Sequence, residues 1–251
     1  KQPSTRSDAA GDYQTTRQSY LDEYVASSSP TRAVHRLIRK LTALTDAVVQ
    51  ARWHSSVAQV LPRELLAHLS LAAVGGYGRA ELLPNSDVDV LVLIDDKNLS
   101  EAARAHINTA VEHWLGSLWD AGLAPSHSVR TISECVQFCH EDLATETAMI
   151  EGRLVAGDQK VFDAFYAQFY KGFQTRTFWR NKIAEKNARY ARFEETPFSL
   201  EPNCKESPGG LRDLQLMLWL SKSSGIAQNW ADLHTLGWLN ERQTKLIQKC
   251  E

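Results

Sequence analysis

The sequence predicts an α+β chain, a small mixed sheet flanked by helices and followed by an all-helical lobe. Three observations carry that reading. Two short apolar runs closed by turn residues, LSLAAVGG and DVDVLVLID, are too short for free-standing helices and give strands at about 69–74 and 87–94. A helical pattern precedes them, and another separates them from a third strand candidate. Beyond Gly157 the chain reads as helix with Trp and Phe in its apolar stripe, and the one strong break is ETPFSLEPNCKESPGG at 195–210.

Taken in order, residues 1–30 lack periodicity and end in SSSP, which reads as a flexible arm. From Thr31, residues Val34, Leu37, Ile38, Leu41, Leu44 and Val48 recur at three- and four-residue spacing, the apolar face of an amphipathic helix. A second helical stretch ends near His68, and the two strands follow. Ser100 caps a long helix running through Trp119, with Glu101 in its first turn and Gly122 beyond its end. HSVRTI, at 127–132, is a third strand. The expected organisation is an arm over 1–30, an α/β core with its preceding helices over 31–157, and a helical domain over 158–251. The start at Lys1 and the stop at Glu251 within a helical pattern read as a piece cut from a longer protein.

A chain of 251 residues with net charge −2, 43% hydrophobic and 23% charged residues is an ordinary soluble globular protein. Nothing in the balance asks for a nucleic-acid partner. The longest apolar run, Val88 to Ile94, is far below the ~18–20 residues of a membrane span and already contains Asp89. The first thirty residues are polar, unlike a secretory signal, so the expected location is the cytoplasm without a membrane partner. Four cysteines in this length read as reduced thiols. Cys135, Cys139 and His140 sit close together, but no second Cys/His pair with zinc-ligand spacing follows. The basic run RNKIAEKNARYAR at 180–192 reads as a solvated helix face, and His127 as a histidine satisfied by a backbone partner.

Chemistry concentrates in AAVGGYGRAELLPNSDVDVLVLID, residues 72–95. Side chains alternate along a strand, so Asp87 and Asp89 point the same way with backbones about 6.6 Å apart, while Val88, Val90 and Val92 pack on the other face. Two unit charges at that separation repel by roughly 2.5 kcal/mol at an effective dielectric of ~20. A bound cation offsets this, and hard oxygen ligands select Mg²⁺ or Mn²⁺. The plain alternative is that Asp87 is a loop residue and both carboxylates are merely solvated. Asp95 and Asp96 read as turn residues. Upstream, Gly75 and Gly76 free backbone N–H groups to form an anion nest, and Gly78 and Arg79 add flexibility and a planar cation. The segment is neither a Walker A loop nor a GxGxxG fingerprint.

Strand, Gly-Gly, ten residues, then Asp-Val-Asp heading an apolar strand resembles the core motif of the DNA polymerase beta-like nucleotidyltransferase superfamily. GGYGRAELLPNSDVDVLVL, HSVRTISEC, IEGRLVAGD and EPNCKESPGGLRDLQLMLWL occur in the same order as the signature segments of the bacterial PII uridylyltransferase/uridylyl-removing enzyme family. That resemblance implies transfer of UMP from UTP to a tyrosine of the PII signal protein, with release of pyrophosphate. It implies that Asp87 and Asp89 hold the metals and that Gly75, Gly76 and Arg79 cradle the β and γ phosphates. Superfamily enzymes often add a third carboxylate. The nearest candidate is Glu151, which reads equally as a metal ligand or as a structural partner of Arg153. In the second block, Gly209 and Gly210 precede a helix, and Lys205 and Arg212 would supply positive charge closing the nucleotide cleft. Ala80, Cys204 and Ser207 depart from the family pattern, which has glycine at the first and third positions and an aliphatic residue at the second. None of the eight histidines precedes an aspartate, so the HD-type removing activity and the glutamine-sensing ACT domains are expected to be missing. Two other readings remain: transfer of AMP, as in the adenylyltransferase that modifies glutamine synthetase, and a nucleotide-binding module that turns nothing over.

Overall fold

The computed structural model describes residues 5–193, 196 and 203–250. It divides into two compact units, residues 1–171 and 172–251. The first holds a four-stranded mixed sheet in the order β3-β2-β1-β4. Strand β1 (Leu69–Ala73) pairs antiparallel with β2 (Val88–Ile94), Leu71 opposite Val92. On the far side β2 runs parallel to β3 (Pro125–Thr131), Asp89 level with Ser126. Strand β4 (Arg153–Gly157) closes the other edge antiparallel to β1, with a register shift at Leu71/Ala72. The expected strands are present, each trimmed or shifted by a residue or two at its ends.

Alternation along β2 divides the core. Val88, Val90, Val92 and Ile94 bury one face against α2 (Pro30–Trp53) and α5 (Glu101–Asp120), through Leu37, Leu41, Val49, Trp53, Ile107, Val111 and Trp114. A π-helical turn, His54–Ala58, follows α2, and α3 is a single turn at Arg63–Leu66. Leu91 and Leu93 are buried on the opposite face, which α6 (Ile132–Glu141) and α7 (Leu143–Ile150) cover. Ser100 caps α5 as its sequence predicts, accepting from the Ala103 N–H at 3.2 Å. Cys135 and Cys139 are buried free thiols on α6, and His140 stacks on Phe169.

The expected flexible arm is instead a helix, α1 (Thr5–Val25). Its Tyr13 is buried and lies 3.3 Å from the Thr45 hydroxyl, and Tyr20, Leu21 and Tyr24 pack against the same core. Gln14 Nε2 donates to the Gly122 carbonyl at 2.8 Å. Apart from Leu21 the stripe is made of tyrosines set among polar residues, which hides it from a hydropathy pattern. Ser29-Pro30, read as the end of the arm, is a helix start, with Pro30 in the first turn of α2 where its missing N–H costs nothing. The division of the chain also falls later than expected. Helix α8 (Gln159–Gly172) stays with the sheet, because Tyr166 donates to the Met149 carbonyl at 2.7 Å and Val161, Phe165 and Phe169 are buried.

The second unit is helical: α9 (Thr175–Arg192), α10 (Leu211–Ser223), α11 (Trp230–Thr235) and α12 (Glu241–Cys250). Leu218, Ala227, Trp230 and Leu233 form one apolar cluster within it, and Phe178, Leu216 and Trp219 are also buried. Much of the predicted connector, residues 195 and 197–202, lies outside the described residues.

Candidate active site

Strand β1 ends at Ala73, and the Val74 N–H donates to the Asp89 carbonyl at 3.1 Å, carrying the ladder one residue further. The chain then folds into the single helical turn α4 (Gly75–Gly78). Gly75 adopts φ +57°, and a Cβ there would stand 3.2 Å from Asp89 Oδ2. The carboxylate therefore lies directly against the turn. Gly78 is demanded by packing, since a Cβ would sit 2.1 Å from the Glu151 carbonyl oxygen. Gly76 meets only ordinary contacts within the protein, leaving its backbone open to close approach by a ligand. The first N–H groups of a helical turn have no acceptor inside it.

Sequence reasoning missed what holds this turn. Tyr77 is fully buried and its hydroxyl donates to Asp46 Oδ1 at 2.6 Å. Arg153 grips Asp46 through Nη1 and Nη2 at 3.1 and 3.0 Å, and Nη2 also donates to the Tyr77 carbonyl at 3.3 Å. Burial first, then the Asp46 carboxylate, drives the Tyr77 phenol far above its ordinary pKa, so it stays a donor. A lone acid in the apolar context of α2 and an arginine entering β4 were the available signal, because charges in such places need partners. That pairing also answers one half of the Glu151 question: the partner of Arg153 is Asp46.

Asp87 is exposed and immediately precedes β2, so the loop position is the correct one, while Asp89 is half-buried on the strand. The two carboxylates still interact. Burial, followed by the negative charge of Asp87, raises the pKa of Asp89, and a hydrogen bond from Ser126 opposes the rise. A mutually repelling pair of hard oxygen donors fits a divalent cation of the Mg²⁺ class, which is commonly held by one or two carboxylates with phosphate oxygens and water completing its shell. No cluster of three or more His, Cys, Asp or Glu suited to a metal occurs among the described residues.

Glu151 forms no such cluster with the pair among the described residues. It is 4% exposed at the C-cap of α7, and its charge acts on Tyr166 and Tyr170, adding to the burial that raises both phenols. Arg79 lies beside Gly76 as expected, but its Nε already donates to Glu81 at 2.7 Å. Ala80 occupies the left-handed region at φ +61°. His127 is exposed and level with Val90, on the face away from Asp89.

The second block folds as a compact turn. Asn203 Oδ1 accepts from the N–H groups of Lys205 and Glu206, and Gly209 takes φ +80°. A Cβ on Gly210 would meet the Cys204 carbonyl oxygen at 2.7 Å. Both glycines are structural, as the sequence suggested. Lys205 is exposed. Arg212 is engaged within its own unit, donating to Glu206 at 3.1 Å and Gln215 at 3.0 Å. Burial alone would raise the pKa of Asp213, but bonds from Arg189, Tyr190 and the Gly209 N–H overcome this and hold it below the usual carboxylate range.

The family described as Nucleotidyltransferase domain matches residues 55–155, which span the glycine turn, the Asp pair and Arg153. The family described as GlnD PII-uridylyltransferase matches residues 177–251. Among curated proteins, the chain is 39% identical over 214 residues to the bifunctional uridylyltransferase/uridylyl-removing enzyme of Nitrosospira multiformis, covering 85% of this chain and 23% of that one. It is 36% identical over 229 residues to the enzyme of the same name from Burkholderia thailandensis, covering 91% and 25%. For the Burkholderia orbicola enzyme the figures are 38% over 218 residues, covering 87% and 24%. The chain spans about a quarter of the length of these relatives.

Proposed function

The chain is a relative of the bifunctional uridylyltransferase/uridylyl-removing enzymes that carries a nucleotidyltransferase domain, and we propose that it transfers UMP from UTP to a tyrosine hydroxyl of the PII signal protein in the cytoplasm, releasing pyrophosphate. The observation that supports the reading is the nearness of the Asp89 carboxylate to the glycine turn, where a Cβ on Gly75 would stand 3.2 Å from Oδ2, together with the repulsion that Asp87 exerts on Asp89.

Asp87 and Asp89 would hold Mg²⁺, with Mn²⁺ as a substitute, and the cation would neutralise charge on the phosphate oxygens. The Gly75 and Gly76 N–H groups receive the phosphate tail, and Arg79 adds a cation tempered by Glu81. Phosphoryl-type transfer depends mainly on positioning and charge neutralisation, so a turn locked by Tyr77, Asp46 and Arg153 suits it. Lys205 and Arg212 are proposed as nucleotide-binding residues on their positive charge, as the family resemblance implies. No His-Asp pair occurs in these 251 residues, so UMP removal is not assigned to them.

Incubation with Mg²⁺, PII and labelled UTP or ATP tests the reading. Protein-bound label from UTP is expected, and Asp87→Asn or Asp89→Asn should reduce it at least ~100-fold, the upper range for losing even indirect metal support. Label from ATP alone would replace UMP by AMP transfer, and nucleotide binding without transfer would leave a binding module.

A further inference from the structure

The face of the sheet that carries Asp89 also carries a cavity of about 270 Å³, opening over β2 and β3 beneath α6 and α7. Parallel pairing sets its rungs: Ser126 is level with Asp89, Ser128 with Leu91 and Arg130 with Leu93. Three polar side chains of β3 therefore descend the same face as Asp89. Arg130 Nε donates to Ser128 Oγ at 2.9 Å, and its guanidinium lies 4.0 Å over the Phe138 ring. No carboxylate pairs with Arg130 among the described residues. Phe138 is 38% exposed at the wall of the cavity, with Leu91 and Met149 completing an apolar lining.

Resting on the reading of the site as a nucleotidyl-transfer centre, the geometry divides the site in two. In an in-line displacement the attacking and leaving oxygens lie on opposite sides of the phosphoryl group. The Gly75–Gly78 turn, which receives the leaving pyrophosphate, follows β1 on one flank of β2, and the cavity lies toward β3 on the other. We propose that the cavity is the acceptor subsite, taking an aromatic hydroxyl side chain whose ring lies against Phe138 and Met149 and whose oxygen faces the phosphoryl group at Asp89.

The phenol oxygen forms a bond to the α-phosphorus, the bond from that phosphorus to the bridging oxygen of pyrophosphate breaks with its electron pair, and the phenol proton passes to water. The nucleoside is attached through an oxygen outside the in-line axis, so it does not compete for this flank. Arg130, bonded to Ser128 and stacked on Phe138, lines the cavity and supplies a positive charge beside the bound phenol.

A heteronuclear NMR titration of the chain with N-acetyltyrosinamide, in Mg²⁺ and a non-hydrolysable UTP analogue, reads acceptor binding without turnover. Shifts at the amides of Ser126, Ser128, Arg130 and Phe138 are expected. Arg130→Ala should weaken the probe at least 5-fold with the affinity for the UTP analogue unchanged, and Arg130→Lys should restore part of the loss. Ser128→Phe, which fills the cavity, should exclude the probe from a chain whose melting temperature is preserved. Probe shifts confined to other regions, no shifts up to the solubility limit, or a loss of nucleotide affinity in Arg130→Ala would overturn the assignment. Failure of the function itself would show separately, as absence of UMP transfer by the wild-type chain.

Discussion

Gly75, Gly78 and Ala80 show how single backbone positions set this site. The left-handed φ of +61° at Ala80 costs a non-glycine residue roughly 1–2 kcal/mol, partly offset by the extra unfolded-state entropy that glycine would bring. Ala80→Gly should therefore stabilise the chain by about 0.5–1 kcal/mol, read as a higher urea midpoint at unchanged slope. At Gly78 the sign reverses. A methyl group has nowhere to go against the Glu151 carbonyl, and Gly78→Ala should cost about 1–3 kcal/mol in the same experiment. Asp89→Asn removes the repulsion that Asp87 and burial impose, so in EDTA the variant should melt higher than wild type. Mg²⁺ should raise the melting temperature of the wild type and not of the variant. The glycine pair and the acids were legible as residue types at a telling spacing. Which glycine faces the carboxylate and which faces a neighbouring carbonyl was not, because both demands come from segments distant in sequence.

At the scale of elements, the turn after β1 is held by α2 and β4 through Tyr77, Asp46 and Arg153. Tyr77→Phe removes a bond to an ionised acceptor and should cost about 1.5–3 kcal/mol, lowering transfer as the turn loosens. A denaturation curve and a transfer assay on the same variant check both. In the second unit, the turn before α10 depends on ionised Asp213. Its folded pKa lies below the unfolded value of ~3.9, so its stabilisation is present above that value and is lost as pH falls through the folded pKa. Asp213→Asn should accordingly melt lower at pH 7 and lose less stability on acidification than wild type. Strands β1, β2 and β3 were legible from apolar runs and alternation. Helix α1 was not, because its packed stripe is mostly tyrosine set among polar residues and takes its meaning only from the core that receives it.

Across the whole molecule, the chain divides after residue 171, and the aromatic packing of Phe165 and Phe169 keeps α8 with the first unit. Helix α1 belongs to that core too. Removing residues 1–28 uncovers Tyr13 and its neighbours and should cost about 3 kcal/mol, a melting-temperature fall of about 5–10 °C for the first unit. By itself the sequence determined the α+β class, the strand that carries Asp89, the glycine turn beside it and the family resemblance. These rest on local periodicity and on residue types that only a few backbone geometries accept. Only the tertiary structure decided that Arg153 serves Asp46, that Glu151 is buried at the C-cap of α7, and that β3 sets Arg130, bonded to Ser128, on the face that carries Asp89. Each of those depends on strand register and on which distant side chain meets a buried charge, quantities that come into existence when the chain closes on itself.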